Sequence, residues 1–202
     1  NPFMMFRKKM ENKRQESLTV EELNAIKEIK FASDVLDQVR DIFVFSCCTG
    51  LAYNEVSKLT PAHIKVADGK LCIFQARDKT RRTNNEAYVP LGYDALEILN
   101  RYNEHPVCLR KGVCLPVQAN QRVNAYLKQI QHLAGIKKRL TTHTARRTFA
   151  NHRINEGFEA VVVSAMMAHS DVSTTMRYYA KVSPEAVVRE FQRIRDTKTK
   201  NG

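Results

Sequence analysis

Residues 33–48, SDVLDQVRDIFVFSCC, constrain the fold more than any other stretch. Ser33 or Asp34 can cap a helix, the body is strongly apolar, and Thr49-Gly50 offers a turn to end it. A helix this apolar must be buried among other elements, so the chain has to supply neighbours to cover it. Capping and spacing predict several. LTVEELNAIKEIKF (18–31) pairs Thr19 with Glu22 as a capping box and repeats Leu23, Ile26 and Ile29 at helical spacing. A short helix over 54–59 stops before Pro61. After Tyr93, helices are expected in YDALEILNRYN, in NQRVNAYLKQIQHLAG up to Gly135, in THTARRTFANHRINEG up to Gly157, and in EAVVVSAMMAH. A further helix runs into the pair Tyr178-Tyr179, and SPEAVVREFQRI, capped by Ser183 with Pro184 at its first position, closes the chain before a basic tail.

The texture changes at Asp68-Gly69. KLCIFQA and EAYVPL flank RDKTRRTNN and read as a β-hairpin with a long basic tip. CLRKGVCLPVQ reads as irregular. The expectation is a mainly α domain with a small antiparallel β element. It divides into a linker end (1–17), a main domain (18–182) and a C-terminal helix with basic tail (183–202). The chain opens on Asn1 rather than methionine, which fits a segment of a longer protein.

Thirty-three Lys and Arg against 21 Asp and Glu give the 202 residues a formal charge of +12, a balance that suits a polyanionic partner. Double-stranded DNA is the default. No apolar run approaches the roughly 18 residues of a membrane span, and no signal peptide opens the chain. The five cysteines, 47, 48, 72, 108 and 114, are odd in number and include no C-x-x-C pair, which fits neither a disulfide framework nor a zinc knuckle. A cytoplasmic protein without membrane, metal or cofactor is expected.

Three stretches could carry chemistry. In HTARRTFANH, His143 and Arg146 stand three apart on one helix face, where an imidazole and a guanidinium can jointly hold a phosphate. In MAHSDVSTTMRYY, His169 precedes Tyr178 by nine residues across a turn rich in Ser, Asp and Thr. Lys79 sits in the hairpin tip, either as a backbone-phosphate contact or as a group able to deliver a proton.

The succession CTGLAYNEVSKLT, hairpin lysine, HTARRTFA, MAHSDVSTT and following tyrosine resembles the catalytic domain of tyrosine recombinases, the phage-integrase family, from about residue 18 to about 190. Its TGLAY wording is similar to integrases of conjugative transposons. The resemblance implies a DNA breaking-rejoining fold and a site-specific recombinase acting as a homo-oligomer, a tetramer when two duplexes are paired. It implies that Arg146 and His143 clamp the scissile phosphate, that Lys79 protonates the leaving 5′-oxygen, that His169 hydrogen-bonds the phosphate, and that Tyr178 is the nucleophile. A phenol with a pKa of about 10 attacks only where nearby cations stabilise the phenolate and the phosphorane. The 3′-phosphotyrosine so formed would keep the phosphodiester's energy for rejoining.

Successive helical residues point about 100° apart, so Tyr178 and Tyr179 cannot share one pocket. The spacing from His169 selects Tyr178; the YAK wording keeps Tyr179 as the runner-up. The resemblance also exposes a departure: where most of the family has its first catalytic arginine, after TGL, this chain has Ala52. Arg40 is the candidate replacement, a cation in the apolar line of Leu36, Phe43, Val44 and Cys47; the alternative is an ion pair with Asp37 or Asp41. Glu55 matches an acid that orients the neighbouring cations. Arg77, Arg81, Arg82, Lys137, Lys138, Arg139 and Arg147 are expected to meet the DNA backbone. Two other functions fit the same residues: a catalytically impaired DNA-binding module of recombinase descent, and a type IB topoisomerase, which would relax plasmid lacking any target sequence. A DNA-bridging protein is a more distant reading.

Overall fold

A computed structural model of the chain describes residues 16–76, 86–169 and 172–176, with 184, 187, 188 and 192. Nine helices and three strands are found among them, in the order α1 (Val20–Glu28), α2 (Asp34–Thr49), α3 (Tyr53–Ser57), β1 (Ile64–Ala67), β2 (Lys70–Ala76), β3 (Glu86–Pro90), α4 (Tyr93–Arg101), α5 (Pro106–Lys111), α6 (Asn120–Leu133), α7 (Thr142–Asn155), α8 (Ala160–Met166) and α9 (Val172–Met176). A 3-10 turn over Pro61–His63 leads into β1.

Helix α2 is the centre, packing against α1, α3, α4, α6 and α7. From Val39 to Cys47 every residue is buried, polar Arg40, Asp41 and Ser46 included. Each large apolar side chain so buried contributes about 1.5–3 kcal/mol, and Phe45 and Ile42 lie in the main core with Leu18, Ile26, Leu59, Leu127 and Leu140. The capping box drawn from Thr19 and Glu22 is formed on both sides: Thr19 N donates to Glu22 Oε2 (2.8 Å) and Glu22 N to Thr19 Oγ1 (3.2 Å). Just before it, Leu18 is tied to α7. Its N–H donates to Thr148 Oγ1 (3.0 Å), and its carbonyl lies 3.0 Å from His152 Nε2.

The sheet is larger than a hairpin. Its order is β1-β2-β3, antiparallel throughout, with Ile64 opposite Ile73 and Ile73 opposite Val89. Asp68-Gly69 is the tight turn joining β1 to β2. Both residues have positive φ (50° and 71°), the backbone a two-residue hairpin of matching twist requires. CLRKGVCLPVQ, expected to be irregular, contains most of α5, which His105 caps by accepting from Val107 N (3.2 Å) and Gly112 ends in the left-handed region.

A second, smaller core joins Val89 of β3 to Phe149 and Ala150 of α7 and to Val163, Met166 and Met167 at α8. The sheet and α8 are thereby fixed to the helix that carries HTARR. Gln75 at the end of β2 donates to the Glu55 carbonyl (3.0 Å), which anchors the sheet beside α3.

Candidate active site

Arg146 is buried, 5% exposed, at the meeting of three elements. Its Nη1 donates to the Gly50 carbonyl at the end of α2, and its Nη2 to the Met167 carbonyl at the end of α8 (2.5 Å). Both are helix C-termini, where unsatisfied carbonyls give the macrodipole its negative end and attract a cation. Glu55 completes the cradle: its Oε2 lies 3.5 Å from Arg146 Nη1 and accepts the Ala52 N–H at 2.6 Å. The guanidinium plane is therefore set by two backbone carbonyls and one carboxylate, on elements far apart in sequence.

Gly50 is needed there twice over. Its φ is +70°, and a Cβ would sit 2.5 Å from the Phe149 ring. The chain that ends α2 thus lies directly on α7.

His143 stands in the first turn of α7, exposed, one turn before Arg146. Thr141 caps this helix by accepting from Thr144 N (3.1 Å). A helix N-terminus favours an anion, so a phosphate held by His143 would also meet the positive end of α7.

His169 is reached by a different device. Met167 ends α8, Ala168 takes φ +46°, and the Ala168 and His169 N–H groups donate to Ala165 O (2.9 Å) and Ser164 O (3.0 Å). This paired closure with a left-handed residue is a Schellman motif. It turns His169 back beside the carbonyl that Arg146 holds. The imidazole is buried, with Nδ1 2.6 Å from Thr175 Oγ1 of α9, which fixes the ring plane.

Arg146, Glu55 and His169 are thus brought together, and His143 adjoins them on α7. Arg40 is not among them. It lies ten residues before Gly50 on the same helix, about 15 Å along the axis, and holds Asp37 (2.7 Å), Asp41 (2.9 Å) and the Ile29 carbonyl. The ion-pair alternative is the one found. Asp41 is further bound by Arg101 Nη1 (2.9 Å) and Tyr102 Oη (2.8 Å), so Arg40 belongs to a charge network between α2 and α4.

Of the expected DNA contacts, Lys138 pairs with Glu22 (2.7 Å), Lys137 and Arg139 are exposed, and Arg147 is half-buried. Tyr178, Tyr179, Lys79, Arg77, Arg81 and Arg82 lie outside the described residues. The cysteines are free thiols, and burial pushes the Cys48 thiol up to about 11. Among the described residues no group of three His, Cys, Asp or Glu is arranged to hold a metal ion, and no helix is long and apolar enough to cross a membrane.

Three contributors were not picked out from the sequence: the Gly50 and Met167 carbonyls and Thr175. Backbone acceptors leave no residue signature. Thr175, six residues after His169, could have been found from the TT pair alone.

A helical domain built on one buried helix, with a three-stranded sheet, thus gathers Arg146, Glu55 and His169 at its helix ends. The chain belongs to the phage integrase family, whose model matches residues 16–185. It is 34% identical over 140 residues to the tyrosine recombinase XerD of Staphylococcus aureus, an alignment covering 64% of this chain and 45% of XerD. The chain thus spans about half the length of the curated relatives it matches. Among solved structures it is similar in fold to the Tn1549 transposon integrase in complex with transposon right end DNA (TM-score 0.63, 16% identity, 91% of this chain and 67% of that one). It is similar also to the XerH site-specific recombinase bound to its difH substrate (TM-score 0.64, 20% identity, 83% and 50%).

Proposed function

We propose that this chain is the catalytic part of a site-specific DNA recombinase, which cuts and rejoins strands to integrate or excise a mobile element. One observation carries the reading: Arg146 is buried in a cradle of two helix-end carbonyls and Glu55, beside His169 and one turn from exposed His143. Burying a guanidinium costs several kcal/mol unless it is fully paired, and here the pairing also aims it. Aimed donors that need no reorganisation are what a phosphorane requires.

In the reaction, the Tyr178 hydroxyl gives up its proton to solvent water and its oxygen attacks the scissile phosphorus. An O–P bond to tyrosine forms and the bond from phosphorus to the 5′-oxygen breaks. Lys79 gives that oxygen its proton, and a 3′-phosphotyrosine and a 5′-hydroxyl result. Arg146 and His143 hold the non-bridging oxygens while His169 hydrogen-bonds the phosphate. Tyr179 is the runner-up nucleophile. Residues 18–182 form the catalytic unit, and 183–202 add a C-terminal helix and basic tail. Arg77, Arg81, Arg82, Arg139, Arg147 and Lys137 track the backbone of double-stranded DNA in the cytoplasm, with Lys138 shared with Glu22. The apolar surface of Phe158, Val161 and Val162 at α8, and exposed Val187 and Val188, suit a homo-oligomer on DNA.

The test is covalent capture on a pool of nicked duplexes of randomised sequence. An adduct that survives denaturant, with the tag on the Tyr178 peptide by mass spectrometry, supports the reading. Its absence at every sequence supports the second reading, an impaired DNA-binding module, which Ala52 favours.

A further inference from the structure

The bond between Thr175 and His169 is short and enclosed: Oγ1 and Nδ1 lie 2.6 Å apart, with Thr175 fully buried and His169 8% exposed. The two groups sit on elements packed against each other, the ring at the closure of α8 and the hydroxyl on α9. The direction of this bond decides what the far side of the ring can do. A neutral imidazole carries one proton between two nitrogens, so the state of Nδ1 fixes that of Nε2. Thr175 Oγ1 makes no other hydrogen bond among the described residues. If Nδ1–H donated to it, the hydroxyl proton would be buried without an acceptor and would lose its solvation uncompensated. Donation from Oγ1 to Nδ1 strands no proton. The ring's own proton then sits on Nε2.

We propose that Thr175 is a positioning residue, whose hydroxyl holds His169 in the Nε2–H form so that the ring meets the scissile phosphate as a donor. The opposite form would turn a nitrogen lone pair toward the non-bridging oxygens and repel them. Valine matches threonine in shape but has no proton to give, whereas serine keeps the hydroxyl. Thr175 also stands three residues before Tyr178 in sequence, so the helix that sets the histidine is the one that precedes the nucleophile. For its phosphate this role rests on the recombinase reading. The place of the ring proton does not, because it belongs to the folded chain without DNA.

The experiment is nitrogen NMR on the full chain with histidine labelled at the ring nitrogens, comparing wild type, Thr175→Val and Thr175→Ser, with His169→Gln to identify the signals of His169. At about pH 8, above the ordinary histidine value, wild type without DNA is expected to show Nδ1 bare and Nε2 protonated. In T175V the two signals should move toward each other as the nitrogens share the proton, and T175S should restore the wild-type pair. Covalent capture on nicked duplex should slow in T175V by about tenfold to a hundredfold, the range for partners that orient a metal-binding histidine through its second nitrogen. Duplex affinity should stay unchanged, and T175S should cut close to the wild-type rate. A threonine that only packed would change stability without moving the nitrogen signals. Wild type with its proton on Nδ1 would overturn the proposal whatever the variants do, as would T175V keeping the wild-type signals or cutting at the wild-type rate. Absence of any capture by wild type would overturn the recombinase reading, while the nitrogen signals would still decide whether Thr175 sets the ring.

Discussion

Glu55 Oε2 stands 3.5 Å from Arg146 Nη1, both side chains almost fully buried, and the same oxygen accepts the Ala52 N–H. The carboxylate therefore does two things at once: it balances the guanidinium and closes the first turn of α3. Glu55→Gln keeps an acceptor for Ala52 but removes the charge, whereas Glu55→Ala removes both. Breaking a buried ion pair costs about 3–5 kcal/mol when nothing else compensates the remaining charge, and the two carbonyls on Arg146 hold the loss to the lower end. Thermal unfolding should rank wild type above E55Q above E55A, with adduct formation at least tenfold slower in both variants. An E55Q enzyme cutting at the wild-type rate would show that the charge is not used.

Arg40 makes its contribution through stability. With Asp37, Asp41 and the Ile29 carbonyl as partners, Arg40→Ala should lower unfolding free energy by about 3 kcal/mol, since Asp41 keeps Arg101 and Tyr102. Any protein that remains folded should form the covalent adduct at the wild-type rate. Denaturant titration and single-turnover capture on the same preparation separate the two quantities.

Ala168 takes φ +46°, where a Cβ costs roughly 1–2 kcal/mol, because the Schellman closure that delivers His169 demands it. Glycine removes that strain but adds freedom to the unfolded chain, about 0.4–1 kcal/mol. Ala168→Gly is thus expected to raise the melting midpoint by about 1–3 °C. A lower midpoint would mean that the methyl's burial outweighs the strain.

The sequence revealed what is local. Capping residues and apolar spacing located α1, α2, α4, α6, α7 and α8 because each helix carries its own start and stop. β1 escaped because four residues with Val66 exposed show no alternation, and α5 because its cap is His105, which is outside the usual capping set. For Arg40 the sequence offered two settings, and the ion pairs with Asp37 and Asp41 are formed; what helix spacing could not show is that the Ile29 carbonyl, and Arg101 on Asp41, come from other segments to close the network. His143, Arg146 and His169 were legible as side chains in order. Arg146's carbonyl partners, 96 and 21 residues away, were not.

His152 offers a pH test of how the entering chain is fixed to α7. Burial holds its imidazole below the usual value of 6.5, against the bond to the Leu18 carbonyl and Glu156, which raise it; Arg153 and Lys27 lower it further. The folded state therefore prefers neutral His152. Its contribution is complete above about pH 6.5 and is lost as pH falls below that value, where the unfolded chain takes up a proton that the folded chain resists. Gln in its place can still donate to Leu18 but does not titrate. Melting midpoints measured between pH 7.5 and 5.5 should fall more steeply for wild type than for His152→Gln. Parallel curves would remove His152 from the account.

Ala52 stands where the family resemblance places a further arginine. Its backbone N–H is already fixed on Glu55, and its half-buried side chain begins α3 at the edge of the Arg146 cluster. An arginine there would share Glu55 with Arg146 and place a second fork of donors beside the phosphate. Removing one such donor from an active site lowers rates by about 10² to 10³, so restoring one should recover part of that factor. Ala52→Arg is expected to speed adduct formation at least tenfold. Ala52→Lys should recover less, because a point charge cannot bind two phosphate oxygens side by side. Single-turnover capture with Arg146→Ala as the inactive reference measures both. If A52R cuts no faster than wild type, the positive charge missing at this position is already supplied by another group, and the chain's chemistry is complete as it stands.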